Sequence, residues 1–156
     1  MNEKYVFQPH GYTLFCEDVR HEVDGKITMV GVLGAEIVLQ ADLPSTLPQL
    51  SVWVIFCEAL NDSFDSLTIE LALPGRSYED AIIRAEFPSE QAQREPILDD
   101  VDADELRAVM NFQFKLGPIV IDQPGRIRVR AIRNGLAIPL GSMLIRSNAS
   151  ENTIQQ

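Results

Sequence analysis

Four glycine-containing dipeptides divide this chain into short segments: Asp24-Gly25, Pro74-Gly75, Pro124-Gly125 and Asn134-Gly135. Such dipeptides favour tight turns, and Asp-Gly and Asn-Gly favour the hairpin turn in which both central residues have positive φ. The segments between the turns are rich in Val, Ile, Leu and aromatic residues, which is typical of β-strands. The turn signals therefore predict an all-β fold.

We predict about eight strands separated by Gly/Pro turns, a pattern typical of a two-sheet antiparallel β-sandwich of the immunoglobulin or C2-like type. One such domain would cover residues 1–146, followed by a flexible polar tail over residues 147–156. The predicted strands lie near residues 11–22, 26–39, 50–59, 66–73, 79–87, 111–121, 126–133 and 136–146.

For two segments the sequence predicts the strand pairing or the burial. In the hairpin closed by Asn134-Gly135, a two-residue turn pairs Arg133 with Leu136, Ala131 with Ile138 and Val129 with Leu140. The segment 50–60 is apolar on both faces, so we expect a central strand that is covered on both sides. Aromatic residues are candidates for core or interface, with core favoured for the first two: Trp53, Phe56, Phe112 and Phe114.

The polar segment 88–111 interrupts the strand pattern. We predict a short helix over residues 102–111, because Asp102 followed by Glu105 forms a capping box. Leu106, Val109 and Met110 would form its packing face. An alternative is a small-ligand or Ca²⁺ site in loop 99–105, with four candidate ligands, although the glycine and terminal glutamate of a calcium loop are missing. The candidates are Asp99, Asp100, Asp102 and Asp104; the favoured interpretation has no metal and no cofactor.

Residues 14–26 combine a thiol, an imidazole and four carboxylates. A thiolate–imidazole pair needs contact within hydrogen-bonding distance. In a regular strand Cys16 and His21 point to opposite faces, because the side chains alternate. This parity predicts a structural hairpin with no reactive centre, unless a β-bulge reverses it.

Two sets of charged residues are candidates for interaction. Asp18 and Arg20 share a strand face, and the predicted hairpin places Asp18 opposite Gly31, consistent with an ion pair or with a ligand contact. Arg126, Arg128 and Arg130 alternate with apolar residues and share an outward face. That row could bind an acidic partner or pair with acids such as Glu70 or Glu86 across the sheet.

Composition excludes several classes of function. The net charge is −10 with only 13 basic residues, which disfavours binding to nucleic acid or to anionic membranes. The sequence lacks a signal-peptide pattern and a membrane-length apolar run, so we expect a cytoplasmic protein. Its two cysteines are expected to be buried free thiols, and a single disulfide between Cys16 and Cys57 is the alternative. No nucleotide-binding or serine-hydrolase motif occurs.

One stretch resembles a family of small uncharacterised bacterial and phage proteins. The resemblance rests on Phe15-Cys16-Glu17-Asp18-Val19-Arg20, on Gly25-Lys26 and on Val30-Gly31-Val32, and it extends to "DLPSTLPQLSVWV" and "QPGRIRVRAI". It spans most of residues 11–146. The resemblance implies a β-sandwich and brings no activity. We therefore expect a non-catalytic protein-interaction or structural module, with an unknown protein partner or a second copy of the chain.

Overall fold

The computed structural model describes residues 7–60, 62, 64–88 and 106–148. Within these residues the chain forms eleven strands and two short 3-10 turns, Val23–Gly25 and Tyr78–Asp80. The strands are β1 (His10–His21), β2 (Ile27–Val32), β3 (Glu36–Leu39), β4 (Ser45–Leu47), β5 (Leu50–Ala59), β6 (Ser66–Ala72), β7 (Ile83–Pro88), β8 (Arg107–Leu116), β9 (Ile119–Ile121), β10 (Gly125–Arg133) and β11 (Leu136–Ser147). The all-β prediction is confirmed.

The strands form three sheets. A four-stranded sheet has the order β2-β1-β5-β8, a five-stranded sheet has the order β3-β11-β10-β6-β7, and β4 pairs with β9. All pairings are antiparallel except that of β3 with β11, so the expectation of wholly antiparallel sheets is wrong at this edge.

One apolar core joins the two larger sheets. It combines alternate residues of β5, such as Val52 and Val54, with alternate residues of β6 and β10, such as Ile69 and Val129. This is the period-two pattern of strands with one face on the core. Burying these side chains is the main stabilising contribution, at about 25 cal/mol per Å² of apolar area. Because these residues face the core, the residues between them in each strand lie on the outer faces of the sheets.

A second apolar cluster lies on the outer face of the four-stranded sheet. It contains Cys16, Val19 and Trp53, which all have less than a tenth of their surface exposed. Trp53 lies on β5, whose core-facing residues are the even-numbered ones. The prediction that β5 is covered on both faces is therefore confirmed for its first half, at Ser51 and Trp53, whereas Ile55 and Cys57 are only partly buried.

Two predicted strands are each divided in the structure. The predicted strand 26–39 becomes β2 and β3, which belong to different sheets, and 111–121 becomes β8 and β9. The first break covers residues 33–35, close to Gly31 in β2, which has φ of +59°, and the second lies at Gly117-Pro118, where proline supplies no backbone donor. Glycine and proline thus add strands to the predicted eight.

The predicted helix over 102–111 is wrong for its second half. Residues 107–111 belong to β8, which pairs along its whole length with β5. Met110 packs against the core, whereas Val109 is 49% exposed, as expected for neighbouring residues of a strand, whose side chains alternate between its two faces. Pairing with a central strand outweighs the local helical pattern. The capping residues Asp102 and Glu105 lie outside the described residues.

The Asn134-Gly135 hairpin confirms most of its predicted register. Arg133 pairs with Leu136 and Ala131 with Ile138, but Val129 pairs with Gly141 instead of Leu140. A register shift between Val129 and Arg130 causes this difference. Bulges of this type insert one extra residue, and here the insertion lies on the β11 side.

The end of β11 lies inside the folded part of the chain. Ser147 donates a hydrogen bond to the Ala41 carbonyl at 2.8 Å, and Asn148 contacts Gln40. The predicted tail 147–156 therefore begins with two ordered residues, and its remainder lies outside the described residues. None of the described helical segments is long and apolar enough to cross a membrane.

Candidate interaction surface

The outer face of the five-stranded sheet carries the predicted row of arginines. Ile127, Val129 and Ala131 on β10 are buried in the core. Side chains alternate along a strand, so the residues between them point away from the core. The structure brings Arg126, Arg128 and Arg130 to one surface, as the sequence predicts.

Glu70 on β6 lies at the centre of this surface and is only 5% exposed. Its two carboxylate oxygens accept hydrogen bonds from the Nε atoms of Arg130, at 2.7 Å, and Arg84, at 2.8 Å. Both arginines are directly opposite Glu70 in the register of their strands. Burial acts to raise the pKa of the Glu70 carboxyl, but the hydrogen bonds and charges of the two arginines outweigh it and lower that pKa. The cross-strand pairing with Glu70 is thus confirmed for Arg130.

Tyr78 lies over two of the arginines. It belongs to the 3-10 turn Tyr78–Asp80, between β6 and β7. The guanidinium carbon lies 3.8 Å from the ring centroid for Arg130 and 4.9 Å for Arg128. Such cation–π contacts hold a guanidinium group in place at modest cost in entropy. We call Tyr78, Glu70, Arg84, Arg126, Arg128 and Arg130 together the arginine surface.

Arg126 and Arg128 differ from the other arginines of this surface. Arg128 donates to the backbone carbonyl of Arg76, and Arg126 donates to the Ser142 hydroxyl at 3.1 Å. Over residues 7–60, 62, 64–88 and 106–148, no carboxylate forms an ion pair with either. Glu70 therefore compensates Arg84 and Arg130, whereas Arg126 and Arg128 have no carboxylate partner among the described residues.

The other predicted charged pair is also present, with an extra partner. Asp18 contacts Arg20 at 3.5 Å and Lys115 on β8 at 3.2 Å. The hydrogen bond from Lys115 is the main reason that the pKa of the Asp18 carboxyl is lowered. All three side chains are substantially exposed, so this cluster adds little stability.

The predicted position of Asp18 opposite Gly31 is wrong. Asp18 pairs with Val30, because the loop after β1 contains five residues and pairs His21 with Ile27. Asp24 and Gly25 do have positive φ, of 67° and 73°, as the dipeptide predicts. The carboxylate that lies over Gly31 belongs to Glu17, one residue earlier.

The prediction that Cys16 and His21 lie on opposite faces of β1 is also wrong. Cys16 and Val19 are three residues apart, yet both pack against Trp53. His21 hydrogen-bonds Gln113 at 2.6 Å, and Gln113 lies directly opposite Trp53. The alternation is therefore broken between Cys16 and Val19, next to Gly31, and Cys16 and His21 lie on the same side of the sheet.

Cys16 nevertheless has the environment of a structural thiol. Its Sγ donates to the backbone carbonyl of Asp18 at 3.4 Å, and the residue is fully buried. Burial, with a smaller contribution from the Asp18 charge, raises the pKa of the Cys16 thiol. Reactive cysteines need the opposite shift. Cys16 and Cys57 are both free thiols, as expected, but only Cys16 is buried, and Cys57 is partly exposed.

Sequence reasoning missed a buried ion pair between the two large sheets. Glu58 on β5 is 1% exposed and accepts a hydrogen bond from Arg133 Nε on β10 at 2.8 Å. Arg133 also contacts the carboxylate of Asp62 at 3.3 Å. Burial raises the pKa of the Glu58 carboxyl, and Arg133 opposes that change. Glu58 is the single acid in the largely apolar segment 50–60, and this isolated charge was the signal in the sequence for a buried partner.

The proposed calcium ligands lie outside the described residues: Asp99, Asp100, Asp102 and Asp104. In the part of the chain that the structure describes, no three His, Cys, Asp or Glu side chains are grouped to hold a metal ion.

Comparisons with known proteins gave no match. No family model matches the chain, and no match was found among curated proteins or solved structures. The surface geometry therefore carries the functional interpretation.

Proposed function

We propose that this chain is a non-catalytic protein-interaction or structural module and that the arginine surface contacts its partner. The proposal includes an immunoglobulin-like or C2-like sandwich fold and a location in the cytoplasm of a bacterial cell or in a phage particle. A second copy of the chain is one form that the partner can take.

The proposal rests on Arg126 and Arg128, whose charges no carboxylate of the described residues compensates. Both guanidinium groups are on an outer sheet face, and neither forms an ion pair with a carboxylate of the described residues. Arginine forms short, paired hydrogen bonds with carboxylates and is enriched at protein interfaces. A partner that presents carboxylates would supply the missing counter-charges.

The raised pKa of the Cys16 thiol supports the non-catalytic part of the proposal. A thiol that stays protonated is a weak nucleophile. Its hydrogen bond goes to a backbone carbonyl instead of a base.

Comparative affinity capture tests the proposal. The wild-type chain and the variant with Arg126→Gln and Arg128→Gln would be immobilised and exposed to an extract of the native host, with bound proteins quantified by mass spectrometry. We expect at least one stoichiometric protein, or the chain itself, to be retained by the wild type and lost from the double variant.

Arg146→Gln is the matched control. Arg146 lies on the same outer face, on neighbouring β11, and is 53% exposed, but its charge is compensated by Glu36. It should retain the same protein as the wild type. Equal retention by the wild type and the double variant would refute a role for the arginine surface.

A further inference from the structure

We infer that the arginine surface binds an extended acidic segment whose carboxylates occupy alternate positions. This inference rests on the proposed function and names the chemistry of the partner. Arg126 and Arg128 would bind the carboxylates of this segment.

The spacing of the two arginines sets the spacing of the ligand. They are separated by one residue in a strand, so their Cα atoms are roughly 6.5–7 Å apart. Acidic residues at positions i and i+2 of an extended peptide have the same separation and point to the same side. Such a segment could therefore place one carboxylate at each guanidinium group.

Both guanidinium groups keep hydrogen-bond donors for a ligand. A guanidinium has five N–H donors. Arg126 uses Nη1 for the Ser142 hydroxyl, and Arg128 uses Nη2 for the Arg76 carbonyl. Neutral acceptors of this kind occupy one edge of each group and leave its charge uncompensated. A carboxylate can bind the remaining edge through two parallel hydrogen bonds.

Arg128 is also held in place before a ligand arrives. The Arg76 carbonyl fixes one end of its guanidinium group, and the Tyr78 ring lies 4.9 Å from its carbon. Ordering a long side chain on binding costs conformational entropy. A group that is already ordered avoids much of that cost.

The neighbouring acids leave the two arginines available. Glu70 is occupied by Arg84 and Arg130, and Asp122 pairs with Arg76 at 3.1 Å. Glu79 and Asp80 follow Tyr78 and are exposed. Within the described chain neither forms an ion pair with Arg126 or Arg128.

An acidic peptide fits this surface better than a single-stranded nucleic acid does. Proteins bind single strands by stacking bases on aromatic faces along a basic groove. Here Tyr78 already stacks with Arg130 and Arg128, and the chain carries a net charge of −10. Two uncompensated arginines can neutralise few phosphates.

Two peptides of identical composition test the spacing. Each has three glutamates and four alanines: one has glutamates at its first, third and fifth positions, and the other at its first, fourth and seventh. Binding of both to the full chain would be measured by fluorescence anisotropy at low salt. We expect the alternating peptide to bind about fivefold or more tightly, since only it can engage both arginines at once.

Variants assign the binding to named residues. Arg126→Gln combined with Arg128→Gln should weaken the alternating peptide about tenfold or more and remove the difference between the two peptides. Arg146→Gln should change its affinity less than about twofold. Equal melting temperatures of the double variant and the wild type would show that the fold is kept.

Other results would overturn the inference. They are equal affinity for the two peptides, no detectable binding of either, unchanged binding by the double variant, and tighter binding of a seven-nucleotide single-stranded DNA. If host-protein capture still depends on Arg126 and Arg128, such results reject the alternating acidic ligand alone. If that dependence is also absent, the proposed function fails as well.

Discussion

At the scale of single residues, Glu70 organises the arginine surface. One nearly buried carboxylate holds two guanidinium groups, and one of these groups also packs on Tyr78. Arg130 and Glu70 are 60 positions apart in the chain. A carboxylate with both oxygens satisfied by charged donors is stable at a site where an unpaired one would be costly.

Replacing Glu70 should change how stability depends on pH. The pKa of Glu70 in the folded chain is lowered from its ordinary value of 4.5, because the two arginines outweigh the effect of burial. Its contribution is therefore present above that ordinary value and is lost as the pH falls through the lowered pKa. Glu70→Gln should cost about 1–3 kcal/mol at pH 7, and this difference should shrink under acidic conditions.

Urea unfolding at a series of pH values from 7 to 3 measures this effect. Glu86→Gln is a suitable control, because it changes an exposed acid on adjacent β7. It should follow the wild type within about 0.5 kcal/mol at pH 7. A constant difference between Glu70→Gln and the wild type across the pH range would contradict the assigned charge interaction.

At the scale of elements, the turns could be predicted from the sequence more accurately than the ends of the strands. The Asn134-Gly135 hairpin has the predicted register up to Ile138, because its turn and its apolar pattern agree. β8 was predicted in part as a helix, because its first residues carry a helical pattern. The partner strand β5 decides that conformation, which propensity alone cannot.

β1 and β2 illustrate how one glycine can alter the faces of an element. Gly31 adopts φ of +59°, beside the point where β1 loses its alternation. In this irregular region, Val19 belongs to the same apolar cluster as Trp53. A non-glycine residue at this φ costs roughly 1–2 kcal/mol.

Gly31→Ala should therefore destabilise the chain by about 1–2 kcal/mol. An added Cβ would lie 2.6 Å from Glu17 Cδ, but the exposed Glu17 side chain can move, so backbone strain carries the cost. Urea unfolding measures the loss. The emission of Trp53, the single tryptophan, should shift to longer wavelength if its cover loosens.

Gly34→Ala provides the comparison. An added Cβ there meets no atom within 4 Å, and its φ is outside the left-handed region. It should leave stability within about 0.5 kcal/mol of the wild type. Equal effects of the two substitutions would show that the conformation of Gly31 is not responsible.

At the scale of the whole molecule, the two large sheets are joined by apolar contacts and by the ion pair of Glu58 with Arg133. Glu58 and Arg133 come from different sheets and meet with side chains 1% and 11% exposed. The desolvation cost of such a pair can cancel its attraction, but removing one partner leaves an uncompensated buried charge. The pair therefore makes the packing of the sheets sensitive to either residue.

Arg133→Leu should destabilise the chain by about 3 kcal/mol or more. Because burial raises the pKa of Glu58, its contribution is lost as the pH rises through the folded pKa. The deficit of the variant should thus be larger at pH 8 than at pH 5. Chemical unfolding at these two pH values measures both effects.

Two further variants test the same interpretation. The double variant Glu58→Leu and Arg133→Leu should recover most of the loss, since it leaves no buried charge. Arg146→Leu breaks an exposed pair with Glu36 and should cost less than about 1 kcal/mol. A double variant as unstable as Arg133→Leu alone would assign the loss to packing instead of charge.

The sequence by itself determined the all-β class, the positive φ of Asp24 and Gly25, the two-residue turn at Asn134-Gly135, and the outward row of three arginines. These features depend on φ preferences and on side-chain alternation, which neighbouring residues encode. Only the tertiary structure decided which strands share a sheet, that residues 107–111 extend a strand, and that Cys16 and Val19 share a face. It also decided that Arg84, Tyr78 and Glu70 complete the arginine surface. Residues distant in the chain meet only after the sheets have formed, so no local pattern specifies their contacts.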